Sequence, residues 1–402
     1  MKCEWKYSTI GEACLLVTDG SHFSPKSVSD GQYMVSVKDF TAYGFDFSNC
    51  RQINDEDYQR LEKAGCVPEY EDVLVGKDGA RYFEDIIVYR QSERPALLSS
   101  IAILRCDTKE ILPDYLYYLM KDPTFKQDIR DNYGSGSAIP RIILKDFKRM
   151  PIKYPCIGKQ ERIISILRSL DDKIELNNKI NENLEQQAQA IYHEQFEIIN
   201  KGELPVGWRV VTLGDVAVIS KKIFNPSKEP ETMLEHYSIP AFDESRFPVF
   251  ELSTAIKSNK FAVDSNCFMI SKLNPTTKRI WKPYCLTENA VCSTEFIVYK
   301  AKDSTIRDFL YSVIDSTSFS DFMCSHITGS TGSRQRTTPS DTLSFEFVIP
   351  SEGEINSFQA LVSPMYEQMR INAIENNKLK RLRDSLLPKL MSGEINASSI
   401  QF

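Results

Sequence analysis

Two segments of this chain combine residue types that can approach a phosphate backbone closely and read the bases it carries. Gly134 to Arg141 runs GSGSAIPR, and Gly329 to Arg336 runs GSTGSRQR. Small residues let a main chain close on a phosphate, and serine, threonine and lysine hold its oxygens. Arginine and amide side chains form paired hydrogen bonds to base edges. On that chemistry the candidates in the first half are Ser21, His22, Ser24 and Lys26, then Lys77 and Arg81 in the turn Gly76-Lys-Asp-Gly-Ala-Arg, then Ser135, Ser137 and Arg141. In the second half they are Lys221, Lys222, Lys278 and Arg279, followed by Ser330, Thr331, Ser333, Arg334, Gln335 and Arg336. The second loop is the strongest of these, because Arg334, Gln335 and Arg336 offer two cations and an amide together. The ordinary alternative for each is a solvated group on a surface turn, and for His22 a structural cap.

Such loops need elements to hold them, and those elements occur twice. EWKYSTIGEAC near the start aligns with GWRVVTLGDVA in the middle, placing Trp5 over Trp208, Thr9 over Thr212 and Gly11 over Gly214 at one offset. VLVGKDG (Val73 to Gly79) then matches CFMISKL, and SSIAILRC matches CSTEFIVY, both strand-like runs bounded by turn formers. Two helical stretches follow, PDYLYYLMKD and IRDFLYSVID. Each leads to one of the Gly/Ser loops and then to a short strand ending at Pro155 or Pro350. Each copy is about 150 residues, the usual size of one domain.

After each of those prolines the pattern changes to a long helix with a countable heptad. The first seam is Ile163, Leu167, Leu170, Ile174, Asn177, Asn181, Leu184, Ala188, Ile191 and Gln195. The second is Phe358, Val362, Met365, Met369, Asn372, Asn376, Leu379, Arg383, Leu386 and Leu390. Both place two asparagines mid-seam. A buried asparagine costs stability but fixes register, since a slipped alignment leaves its amide facing aliphatic side chains. Antiparallel pairing brings Asn177 to Asn376 and Asn181 to Asn372, with Ile174 against Leu379 and Leu184 against Met369; parallel pairing would set Asn177 against Asn372. A globule of this size between the helices favours the antiparallel choice. At 1.5 Å per residue the first seam is roughly 50 Å long, more than one turn of DNA. Pro364 and Pro388 remove amide donors from the second helix, which predicts a kink or late start near 364 and an end near 387.

Composition narrows the classes. With 402 residues, 42% hydrophobic and 26% charged, the chain suits packed globules. Its net charge of -6 argues against a uniformly basic nucleic-acid binder, although cations cluster locally, as at Arg141, Lys145, Lys148, Arg149 and Lys153. Ten scattered cysteines without a CxxC pair predict reduced thiols rather than a zinc site or disulfide framework. No apolar run reaches the length of a membrane span, so the expected location is the cytoplasm. There is no GxGxxG, no (N/D)PP(F/Y), since Asn225-Pro-Ser and Asn274-Pro-Thr stop short, and no GxxxxGK(S/T). No catalytic residue or metal site is expected within the chain.

The run Gly158-Lys-Gln-Glu-Arg-Ile-Ile-Ser-Ile-Leu-Arg-Ser-Leu-Asp-Asp-Lys-Ile-Glu-Leu-Asn-Asn closely resembles the central spacer helix of type I restriction-modification specificity subunits. Asp19-Gly-Ser-His-Phe-Ser-Pro25 resembles that family's DG(T/S)HxxP signature, Gly329 to Arg336 its GSTGxxR loop, and Ser385-Leu-Leu-Pro-Lys-Leu-Met-Ser-Gly-Glu-Ile395 its C-terminal sequence. The second half departs from the family in having Ile219-Ser-Lys-Lys-Ile-Phe where the DG(T/S)HxxP copy would stand. The resemblance implies an α+β fold: two mixed α/β target-recognition domains in pseudo-twofold repeat, 1–157 and 201–351, separated by two long antiparallel coiled-coil helices, the central spacer helix in 158–200 and the C-terminal spacer helix and tail in 352–397. It implies a non-catalytic chain that binds double-stranded DNA, each domain reading half of a bipartite target. Two modification subunits would dock on the helices and methylate adenine, and restriction subunits would translocate and cleave. S-adenosylmethionine, ATP and magnesium would belong to those partners. The rival from another class is a coiled-coil adaptor joining two protein-binding domains, and a more distant one is a stand-alone nuclease.

Overall fold

Thr9 and Glu12 close a capping box ahead of the short helix Ile10–Ala13, and Thr212 and Asp215 close another ahead of Leu213–Val216. Each box satisfies amides that a helix start leaves orphaned. The glycine inside each turn lies against backbone: a Cβ on Gly11 would meet the Lys148 carbonyl oxygen at 2.8 Å, and one on Gly214 the Leu343 oxygen at 3.1 Å. In the computed structural model, which describes residues 4–79, 81–133, 141–197, 204–329 and 335–400, these two turns open two copies of one architecture.

The chain forms two compact units, one made of Met1–Asp172 with Lys380–Phe402, the other of Lys173–Leu379. In the first, Lys6–Thr9 pairs antiparallel with Pro151–Tyr154, and a four-stranded antiparallel sheet runs Cys14–Asp19, Ile101–Cys106, Val73–Gly76, Ile86–Val88. The second repeats this with Arg209–Thr212 against Glu346–Ile349 and the sheet Ala217–Ile219, Phe296–Ala301, Cys267–Ser271, Ile280–Trp281. The central strands Val73–Gly76 and Cys267–Ser271 are buried at every residue, which explains their unbroken apolar run. Each unit adds a sheet with one parallel pairing, three-stranded in the first and five-stranded in the second.

The long helices Ile157–Tyr192, continued by the π turn His193–Glu197, and Glu352–Ser392 each contribute to both units. In the first unit Ile163, Ile166 and Leu167 join Leu387, Leu390 and Met391 in the core beside Tyr115 and Leu116. In the second, Ala188, Tyr192 and Phe196 join Ile355, Phe358 and Val362. The Phe196 ring stands 5.4 Å from Phe309 and 5.2 Å from Phe358, both edge-on, the arrangement that aromatic quadrupoles favour.

Two expectations are corrected. Glu352–Ser392 is one helix, so neither the late start near Pro364 nor the end near 387 occurs. Each proline removes a single backbone bond, whereas Val362 and Tyr366 flank the first and Leu387, Leu390 and Met391 flank the second, all buried; that packing outweighs the local loss. Cys14, Cys50, Cys66, Cys106, Cys267, Cys285, Cys292 and Cys324 are free, but Cys156 is disulfide-bonded, so the chain is not reduced throughout. No helix among the described residues is long and apolar enough to cross a membrane, and no group of three or more His, Cys, Asp or Glu there could hold a metal ion.

Candidate nucleic-acid interface

In the first unit, sheet register draws three candidate segments together. Asp19 ends one strand and Lys77 follows another, and the Lys77 ammonium lies 3.3 Å from Asp19 Oδ2 and 3.6 Å from Asp78 Oδ1. Ile142 N donates to the Lys77 carbonyl at 3.0 Å, which sets Asp78 in a β-bridge with Arg141. His22, largely exposed, points Nε2 to within 3.5 Å of Asp19 Oδ2. Ser21 is buried and closes a local turn, its Oγ donating to Phe23 O at 2.7 Å and accepting from Phe23 N. Arg51 donates to Ser24 Oγ at 2.7 Å and also to Pro25 O, so this guanidinium pins the Asp19 to Pro25 loop. Lys26 is exposed, and Arg81 pairs with Asp85 at 2.9 Å. Ser135 and Ser137 lie outside the described residues.

The second unit makes the corresponding junction. Lys272 follows the central strand, Thr337 N donates to its carbonyl at 3.1 Å, Leu273 bridges Arg336, and Asn274 N donates to Gln335 O at 2.9 Å. Arg336 holds Glu295 through two hydrogen bonds of 3.0 and 3.2 Å, which raises its pKa. Lys221 and Lys222 are exposed just past Ala217–Ile219. Two candidates are held by carboxylates. Arg279 grips Asp243 with bonds of 2.6 and 2.9 Å, and Lys278 is ion-paired with buried Asp315, whose carboxyl burial pushes up against the opposing pull of Lys278. Ser330, Thr331, Ser333 and Arg334 lie outside the described residues. Residues that sequence reasoning passed over are Arg51 and Lys272. The first had no local signal, and the second stood in plain view at the Lys77 position of the repeat.

The seam asparagines meet within the second unit. Asn177 Nδ2 donates to Asn376 Oδ1 at 2.9 Å and to Glu375 Oε2 at 2.7 Å. Asn372 Nδ2 donates to Asn181 Oδ1 at 2.8 Å, and Asn376 Nδ2 to Asn178 Oδ1 at 2.8 Å. Ile174, Asn177, Asn372 and Asn376 are buried, while Asn181, Leu184, Met369 and Leu379 are half-buried. Every amide hydrogen bond named here runs between helices, which makes the antiparallel register chemically specific. In the first unit Arg383 reaches Asp171 at 2.6 Å, and Tyr118 donates to the other oxygen of that carboxylate at 2.7 Å.

Residues 4–186 match the family described as type I restriction modification DNA specificity domain. The chain is 27% identical over 329 residues to the type I restriction enzyme MjaIX specificity subunit of Methanocaldococcus jannaschii, covering 72% of this chain and 71% of that one. It is 24% identical over 365 residues to the HindI specificity subunit of Haemophilus influenzae, covering 71% and 78%. Its fold is similar to the crystal structure of the type I restriction-modification S subunit from M. genitalium, with a TM-score of 0.53 at 14% identity over 97% of this chain and 96% of that one.

Proposed function

We propose that this chain is a specificity subunit of a type I restriction-modification system, and that each compact unit reads one half of a bipartite DNA target. The paired helices set the number of unread base pairs and seat two modification subunits. The chain itself is the non-catalytic recognition component. Adenine methylation with S-adenosylmethionine, on a base flipped from the duplex, belongs to the modification subunits. ATP- and magnesium-dependent translocation and cleavage belong to the restriction subunits. The cytoplasm, where such a complex meets DNA, is the location this reading requires.

The observation that carries the reading is the duplicated junction: a lysine after the central strand, bridged through the next residue to an arginine, Lys77 to Arg141 and Lys272 to Arg336, at equal spacing in both copies. Two equivalent loop sites in one chain suit two half-sites in one DNA. Sequence-specific readout needs base-edge donors beside phosphate contacts; in the second copy Gln335 is such a group, and Arg336, which holds Glu295, orients the same loop. The test is methylation by the chain co-expressed with its modification subunits. Arg336→Ala is expected to weaken or relax recognition at one half-site only; equal loss at both halves would count against the proposal. Deleting one heptad from a long helix is expected to alter the tolerated gap, or abolish binding, without changing the bases read.

A further inference from the structure

The two copies build the same junction from different charges. Lys77 N donates to Ser100 O and Lys272 N to Glu295 O, both at 2.9 Å, and each lysine carbonyl accepts from the residue after the bridged arginine, Ile142 or Thr337. Two residues on, the backbone turns left-handed in both, at Gly79 with φ 95° and at Asn274 with φ 48°. Lys77 and Lys272 therefore occupy one position of the repeat. The neighbouring strand supplies a second equivalence. Val17 pairs with Leu104, which pairs with Val73; Ile219 pairs with Tyr299, which pairs with Phe268. Counting on from Val17 and Ile219 puts Lys221 where Asp19 stands.

These exchanges invert the local electrostatics. Lys77 is only 6% exposed and has two carboxylates, Asp19 and Asp78, within 3.6 Å. By this count the positions of Asp19 and Asp78 fall to Lys221 and Leu273, and the Glu295 carboxylate holds Arg336. Lys272 is half-buried, and among the described residues its ammonium has no hydrogen-bond or ion-pair partner. A lysine whose ammonium has no counterion within the fold leaves its charge available to an anion from outside, such as a phosphate. We infer that Lys272, with Lys221, is a phosphate clamp of the second recognition domain, whereas Lys77, neutralised in place by Asp19 and Asp78, holds its own loop. This rests on the DNA-recognition reading above and adds to it a division of labour: the second unit supplies more of the salt-dependent binding.

The experiment measures affinity for random-sequence duplex DNA across a salt series, using the chain assembled with its modification subunits. Each phosphate contact contributes about 0.9 to the slope of log K against log salt. Lys272→Met is expected to flatten the slope by about 1, and Lys221→Met with Lys272→Met by about 2. Lys272→Arg should retain it. Leu273→Asp, which restores the first copy's carboxylate, should flatten it with the fold of the loop unchanged. Lys109→Met, an exposed lysine on a turn of the first unit, is the control and should leave the slope as it was. Slopes matching the wild type in both Lys272→Met and Leu273→Asp, with assembly intact, overturn the clamp while leaving the DNA-recognition reading standing. A wild-type complex with no affinity for duplex DNA overturns both.

Discussion

Asn177 donates to Asn376 across the helix seam at 2.9 Å, and both side chains are buried. Replacing Asn177 with Leu leaves the Asn376 carbonyl short of a donor in an apolar seam and is expected to cost about 1 to 3 kcal/mol. Asn177→Leu combined with Asn376→Leu should recover much of that loss, because an apolar pair of similar shape leaves less polar surface unsatisfied. Urea unfolding of the three proteins checks this; a double variant that loses the sum of the two single losses would contradict it.

Arg383 and Tyr118 share the Asp171 carboxylate. Arg383→Met removes the charged donor and leaves a largely buried carboxylate with a phenol alone, at an expected loss of about 1.5 to 3 kcal/mol. Asp171→Asn in the same background should restore part of the loss, since no charge then remains to be compensated. Thermal unfolding of the single and double variants measures the coupling, and additive effects would mean that the two residues act independently.

His236 packs in the strand Met233–Tyr237, with Nδ1 at 2.6 Å from Glu251 and Nε2 buried without a partner. Burial lowers its pKa below the ordinary 6.5, outweighing Glu251, which pulls it up; Lys260 adds to the lowering. The unfolded chain therefore takes up the proton first. This contribution to stability is complete above about pH 6.5 and declines as pH falls through that value toward the folded pKa. His236→Gln should reduce the loss of stability between pH 7.5 and 5.5, measured by denaturant midpoint; an undiminished loss would assign the pH dependence elsewhere.

Pro364 is exposed within the continuous helix Glu352–Ser392. Pro364→Ala restores a backbone donor and relieves the clash with the preceding turn, with an expected gain of about 1 to 3 kcal/mol. A denaturation midpoint equal to or below that of the natural chain would show that the helix already accommodates the ring without strain.

The seam could be paired on paper because asparagine in an aliphatic heptad is a rare, position-specific signal, and it occurs twice with matched spacing. The strands were legible for a similar reason: Val73–Gly76 and Cys267–Ser271 are buried on both faces and so read as continuous apolar runs. The helix continues past 387 because Leu387, Leu390 and Met391 are held by residues far away in sequence, which no local proline rule contains. Loop cations were the least legible. Whether an arginine is available or committed depends on which carboxylate the fold delivers to it, as Asp243 is delivered to Arg279. Lys272 was missed because its significance emerges only when its neighbours are compared with those of Lys77.

The most direct test of two recognition units in one chain is to map methylated adenines in the genome of a host expressing this chain with its modification subunits. A single bipartite motif, two short specific half-sites flanking a fixed gap of unread bases, is the predicted result. One continuous motif, or no methylation dependent on this chain, would contradict it.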